Sequence, residues 1–130
     1  MVGLLIVSHS ARIATGVKEL ADQMTQAQVL IAVAGGTIDG RIGTSADLIR
    51  DAAEQLRAAG VDGVLVLVDL GSAVMSAEMA LEGFERPYHL SSAPLVEGAV
   101  LAAVEASIGG SLARAAEVAE QAGELPKVQS

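Results

Sequence analysis

The chain has 130 residues, and its eight Lys and Arg against sixteen Asp and Glu give a net charge of −8. One domain fits that length, and an acidic balance without any basic patch excludes a nucleic-acid backbone as partner. The absence of cysteine excludes a disulfide framework, a thiolate nucleophile and a cysteine zinc site. With one Phe, one Tyr and no Trp, the core falls to Ala, Val, Leu and Ile, a small aliphatic core that gains from a subunit interface.

In chain order, the apolar run VGLLIV at 2–7 predicts a buried strand, which stops at His9 between Ser8 and Ser10. It has no positive flank and is short for a signal sequence, and no segment is long and apolar enough to span a bilayer, so a cytoplasmic protein is expected. Ile13, Val17, Leu20 and Met24 form a stripe at helical spacing, predicted to face inward. QVLIAVA at 28–34 predicts the second strand. The glycine-rich AGGTIDGRIGTS that follows has Gly35 and Gly40 at Walker-A spacing, but Arg41-Ile42 stands where Lys-Ser/Thr is required, which rejects an ATP-binding loop.

Ser45 is placed to cap a helix carrying Leu48, Ile49, Ala52, Ala53 and Leu56, which Gly60 ends. GVLVLVD at 63–69 predicts the third strand, and a helix after Gly71-Ser72 carries Met75 and Met79, assigned to the core, to an end near Gly83. Tyr88–Ser91 predicts a short fourth strand on which His89 is structural. Pro94 opens a helix with Val96, Ala99, Val100, Ala103 and Val104 expected inward. Gly109-Gly110 breaks it, and a last helix over about 111–122 precedes a polar tail at 123–130.

Alternating strands and helices of these lengths predict an α/β protein, a three-layer α/β/α sandwich around a mostly parallel four-stranded sheet. In a 2-1-3-4 order, His9 and Asp69 leave neighbouring strands at the same edge, where ligands bind in open sheets. A carboxylate on one imidazole nitrogen fixes the tautomer and leaves the other free as base or nucleophile. The amides of Gly71-Ser72 and Thr44-Ser45 open two helices beside that pocket and suit a phosphoryl group. Each piece also has a plain structural use: Asp69, Ser72 and Thr44-Ser45 serve equally as caps and turns. No metal cluster and no nucleotide loop is visible.

VGLLIVSHSARIATGV resembles the opening of the mannose-type EIIA domains of the bacterial sugar phosphotransferase system. GTS before a helix, LVLVDLGSAVMSAEMAL and APLVEGAVLAAVEAS narrow the resemblance to the DhaM-type phosphotransfer subunits of phosphoenolpyruvate-dependent dihydroxyacetone kinases, over residues 1–122. The resemblance implies that His9 accepts a phosphoryl group from the carrier HPr and Asp69 orients it, while Thr44, Ser45, Gly71 and Ser72 line the phosphate pocket. It further implies transfer to ADP held with Mg²⁺ on a partner subunit, DhaL, and from there to dihydroxyacetone on DhaK. No cofactor is implied on this chain, and a homodimer is. Some members continue into HPr-like and enzyme-I-like domains, so separate donor proteins are expected here. Ser76 departs from the pattern, standing where asparagine is expected. Rival readings are a sugar-transporter EIIA domain passing its phosphate to an EIIB protein, a small tetrapyrrole metal chelatase using His9 and His89, and a non-catalytic interaction module.

Overall fold

The computed structural model describes residues 1–129; Ser130, the last residue of the expected tail, lies outside the described residues. The sheet is built from runs in which both strand faces are apolar. β1 (Val2–Ser8) is buried at every position, and β3 (Gly63–Val68) at all but its last. β2 (Ile31–Gly35) and β4 (Tyr88–Ser91) complete a parallel sheet of order β2-β1-β3-β4, the order expected from the sequence. Continuous apolar strands of this kind need cover on both faces.

That cover comes from five helices. α1 (Ala11–Thr25), α4 (Leu95–Ser107) and α5 (Leu112–Gln121) enclose one cluster with Leu4, Ile6, Leu65 and Leu67. α2 (Ala46–Ala58) and α3 (Ser72–Ala80) enclose the other with Leu5, Val7, Val64 and Val66. The strand alternation sends successive side chains to opposite clusters. Ser10, Ser45 and Ser111 cap α1, α2 and α5 by accepting the N–H groups of Ile13, Leu48 and Arg114. A single 3-10 turn, Ala122–Glu124, follows α5, and the tail beyond it returns to α4 through an ion pair between Lys127 and Glu97. Among the described residues no helix is long and apolar enough to cross a membrane.

The helix faces differ from the expected ones in an informative way. In α1 the buried residues are Ala14, Val17, Ala21 and Thr25, while Ile13, Leu20 and Met24 are exposed. In α4 the buried set is Gly98, Ala99, Ala102, Ala103 and Ala106, leaving Val96 and Val104 exposed and Val100 half-buried. Met75 and Met79 are likewise surface residues, because α3 turns Ala73, Ala77 and Ala80 inward. A sheet already filled with Leu, Ile and Val leaves room for small side chains only, so alanine faces let the helices approach closely.

The same economy appears where α1 meets β2. A Cβ on Gly35 would lie 2.6 Å from the Ala11 Cα and 2.8 Å from the Ser10 carbonyl oxygen. Glycine there lets the first turn of α1 sit against the end of β2, fixing the loop that carries His9.

Candidate functional site

Register places the site before any side chain is considered. Val7 of β1 pairs with Val68 of β3, and Ser8 with Gly35 of β2. His9 and Asp69 are therefore the first residues past two adjacent parallel strands. Their backbones are tied as well: the Asp69 N–H donates to the Val7 carbonyl at 3.2 Å, and the Gly43 N–H donates to the His9 carbonyl at 2.9 Å. The second contact brings the β2–α2 loop over the same edge.

Asp69 uses both carboxylate oxygens. Oδ2 accepts the Ser8 hydroxyl and the His9 N–H, each at 2.9 Å; Oδ1 accepts the Leu70 N–H at 2.7 Å and lies 2.9 Å from His9 Nδ1. Partial burial pushes the Asp69 carboxyl up, but the bonds from the His9 N–H, the His9 ring, the Ser8 hydroxyl and the Leu70 N–H outweigh it. The net result holds it below the usual carboxylate range, hence ionised at neutral pH. An ionised carboxylate only accepts, so His9 Nδ1 carries the proton that faces it. In the neutral ring the lone pair then sits on Nε2, which lies 2.9 Å from the Ser72 hydroxyl oxygen and accepts its hydrogen bond. The His9 side chain is 21% exposed and that of Asp69 14%. The imidazole is thus partly open to solvent, and its carboxylate partner is the more shielded of the two.

The other expected residues divide. α3 begins at Ser72 after Gly71 with no side-chain cap; the Ala73 and Val74 N–H groups donate to the Leu70 and Gly71 carbonyls, and the Gly71 and Ser72 N–H groups stand ahead of that turn beside His9. Thr44 reaches the site's edge, its hydroxyl 2.7 Å from that of Ser76. The Ser45 hydroxyl is instead spent on capping α2, its plain structural use. Two residues that sequence reasoning did not assign belong to the framework. Ser76 ties the β2–α2 loop to α3 through Thr44. Ser8 is fully buried, donates to Asp69 and accepts the Ser10 N–H at 3.0 Å. A serine closing an otherwise apolar strand was the available signal.

His89 does not join this site. It pairs in register with Leu65, and Leu65 with Leu4, so it stands beside a point five residues before His9, roughly 17 Å back along the strand direction. Its ring bonds Glu120 instead, at 3.0 Å. Among the described residues no group of His, Asp and Glu is arranged to hold a metal ion. The two-histidine arrangement that a chelatase reading needs is absent from this geometry.

Comparison with known proteins places this geometry in a family. Residues 3–116 match the EIIA-man family model, described as the fructose IIA component of the phosphotransferase system. The DhaM phosphoryl donor subunit of a phosphoenolpyruvate-dependent dihydroxyacetone kinase from Klebsiella michiganensis is 41% identical over 99% of this chain, which spans only 28% of that relative's length. The Escherichia coli DhaM is 44% identical over 86% of the chain, again covering 25% of its length. A second DhaM from Listeria innocua is close in size: 37% identity over 85% of this chain and 90% of that one. Among solved structures, the protein of unknown function EF1359 superposes with a TM-score of 0.84 at 35% identity, covering 98% of both chains. A sigma-54 interaction domain protein from Enterococcus faecalis shares the fold, with a TM-score of 0.73 at 16% identity over 95% of this chain and 90% of that one. With its histidine at the end of β1 and its match over nearly the whole length to DhaM relatives, the chain belongs to the mannose-type EIIA family of the phosphotransferase system, in its DhaM branch.

Proposed function

We propose that this chain is a cytoplasmic phosphohistidine carrier, the phosphoryl donor subunit of a phosphoenolpyruvate-dependent dihydroxyacetone kinase. The observation that carries the reading is the His9 ring, held by an ionised carboxylate at Nδ1 and presenting an unprotonated Nε2 toward the surface. Nε2 attacks the phosphorus of the phosphohistidine on HPr. The new P–N bond forms as the old one breaks, and the donor imidazole leaves with the electron pair. No proton needs to move through Asp69, which stays ionised and stabilises the charge that develops on the His9 ring. The Ser72 hydroxyl gives up its bond to Nε2 and turns to a phosphoryl oxygen, beside the Gly71 and Ser72 amides at the start of α3. Thr44 and the Ser45 backbone close the other side.

In the second half-reaction the phosphoryl group passes to ADP held with Mg²⁺ on DhaL, and the ATP so formed phosphorylates dihydroxyacetone on DhaK. This chain then needs no nucleotide or metal of its own. Ile42, Leu70 and Met75 are exposed around His9, and such an apolar rim suits docking by protein partners rather than capture of a small sugar. The DhaM names of the relatives support this acceptor over a transporter's EIIB protein. The test is to load the chain from phosphoenolpyruvate through enzyme I and HPr, then offer either DhaL carrying ADP or an EIIB protein. Discharge to the first with formation of ATP is expected; discharge to EIIB alone assigns the chain to sugar transport, and failure to load removes the carrier reading.

A further inference from the structure

Ser72, His9 and Asp69 form an unbroken line of hydrogen bonds. The Ser72 hydroxyl stands 2.9 Å from His9 Nε2, and His9 Nδ1 stands 2.9 Å from Asp69 Oδ1. Phosphoryl transfer uses the serine end of that line only as a hydroxyl to be turned aside. Before any phosphoryl group arrives, the same contact has a second chemical meaning. An unprotonated imidazole nitrogen facing an O–H is a general base on a nucleophile, and a carboxylate at the far nitrogen fixes its tautomer. Such a set is recognised by geometry and roles, not by its order along the chain.

The surroundings supply the other parts. Asp69 also accepts the Ser8 hydroxyl and the His9 and Leu70 N–H groups, which keeps it facing Nδ1. Exposure falls along the line, from Ser72 at the surface through His9 at 21% to Asp69 at 14%. Ser72 is the first residue of α3, in a strand–turn–helix unit after β3. The first turn of α3 is closed by the Ala73 and Val74 N–H groups, which donate to the Leu70 and Gly71 carbonyls at 3.0 and 3.1 Å. The Gly71 and Ser72 N–H groups precede that turn and form a pair of donors on the nucleophile's own backbone, where an oxyanion hole is built. One turn further along α3, Ser76 is tied to Thr44 at 2.7 Å. That tie bounds the space on one side and favours a small acyl group.

We propose that Ser72 is itself a nucleophile, and that the unloaded chain hydrolyses small activated esters through an acyl-Ser72 intermediate. His9 Nε2 takes the Ser72 proton as Oγ attacks the carbonyl carbon. The Oγ–C bond forms, and the carbonyl electron pair moves onto an oxyanion beside the Gly71 and Ser72 amides. The pair returns as the ester C–O bond breaks, and the leaving oxygen takes the proton from the imidazolium. Water then attacks the acyl group while His9 holds its proton, and Ser72 leaves with that proton. The sum is ester plus water giving acid plus alcohol.

An alkyl fluorophosphonate reports the same nucleophile: the Oγ–P bond forms, the P–F bond breaks, and the serine proton leaves through His9 to solvent. The unloaded wild-type chain is expected to gain one adduct by intact mass, placed on Ser72 by peptide mapping. The adduct should form about 10²–10⁴ times more slowly in His9→Gln and be absent in Ser72→Ala, with the circular dichroism of both variants unchanged. p-Nitrophenyl acetate should be turned over by wild type and not by Ser72→Ala. No adduct on the wild type, an adduct on another serine, or equal labelling of His9→Gln overturns the proposal. Ester hydrolysis retained in Ser72→Ala does so too, since the imidazole would then be the attacking group. A chain already phosphorylated on His9 has no lone pair left at Nε2 and should be inert to the probe; labelling of Ser72 in that form also overturns the proposal. Only this last arm needs the carrier reading. Labelling of Ser72 as expected, in a chain that never loads from phosphoenolpyruvate, would support the nucleophile and count against the carrier reading alone.

Discussion

Each of the two histidines of this chain faces a carboxylate, and the surroundings of the two pairs differ. His9 faces Asp69 and Ser72; His89 faces Glu120, which also accepts the Ser91 hydroxyl at 3.2 Å. Asp69 receives four hydrogen bonds, three of them from outside the His9 ring, and its side chain is 14% exposed. Glu120 receives two, and its side chain is 42% exposed, with His89 at 45%. His9 has Nδ1 held by Asp69 and Nε2 met only by the Ser72 hydroxyl, at the end of the central strand where the loops from β1, β2 and β3 converge; His89 lies along an edge strand. A histidine, a carboxylate and a serine become a reactive group only when the framework fixes the tautomer and leaves one nitrogen open.

Variants can break that contrast or sharpen it. The largest effect is expected at His9: His9→Gln should abolish loading from phospho-HPr, and His89→Gln should leave it within about twofold, since an exposed pair away from the reacting atoms contributes nothing to the transition state. Intact-mass measurement of the loaded chain reads both. Next comes Asp69→Asn, whose amide can donate to Nδ1 and so favours the tautomer with the proton on Nε2. The loading rate should fall by about 10²–10⁴, with HPr affinity little changed, as rapid-quench kinetics would separate. Ser72→Ala removes one hydroxyl beside the reacting nitrogen and should cost about tenfold in the same assay.

Two smaller effects concern stability. The folded Asp69 carboxyl titrates below its ordinary value of 3.8, so the unfolded chain binds that proton more readily. Its contribution is present above pH 3.8 and is lost as pH falls through the lower folded value. Urea unfolding of wild type and Asp69→Asn should therefore differ near neutrality and converge in acid. His89→Gln should change stability by less than about 1 kcal/mol at pH 7, as expected of a solvent-exposed pair. A loss of several kcal/mol would mean that the β4 edge depends on that contact.

The sheet was legible because its central strands are continuous runs of branched residues: the runs at 2–7 and 63–69 hold β1 and β3, and the short run at 88–91 is β4, while the run at 28–34 was placed three residues early, β2 being Ile31–Gly35. The convergence of His9 and Asp69 followed from strand order alone. What misled was the helix interior. Ile13, Leu20 and Met24 make the more hydrophobic stripe of α1, yet Ala14 and Ala21 face the sheet. A periodic pattern says which residues share a side; it does not say which of two adjacent sides the packing distance selects. The same ambiguity placed Met75 and Met79 inside, whereas they lie on the side of α3 that carries Ser72 and Ser76. Ser76 was legible only as a departure from a resemblance, because its tie to Thr44 joins segments 32 residues apart.

The central claim is that His9 Nε2 is the atom that takes the phosphoryl group. It is tested most directly by loading ¹⁵N-histidine-labelled chain with phosphoenolpyruvate, enzyme I and HPr, and assigning the phosphorylated nitrogen by ³¹P and ¹⁵N NMR. One acid-labile phosphoryl group on Nε2 of His9, absent in His9→Gln, is the predicted result. A phosphoryl group on Nδ1, on Ser72 or on His89, or no phosphoryl group with active donors, would contradict it.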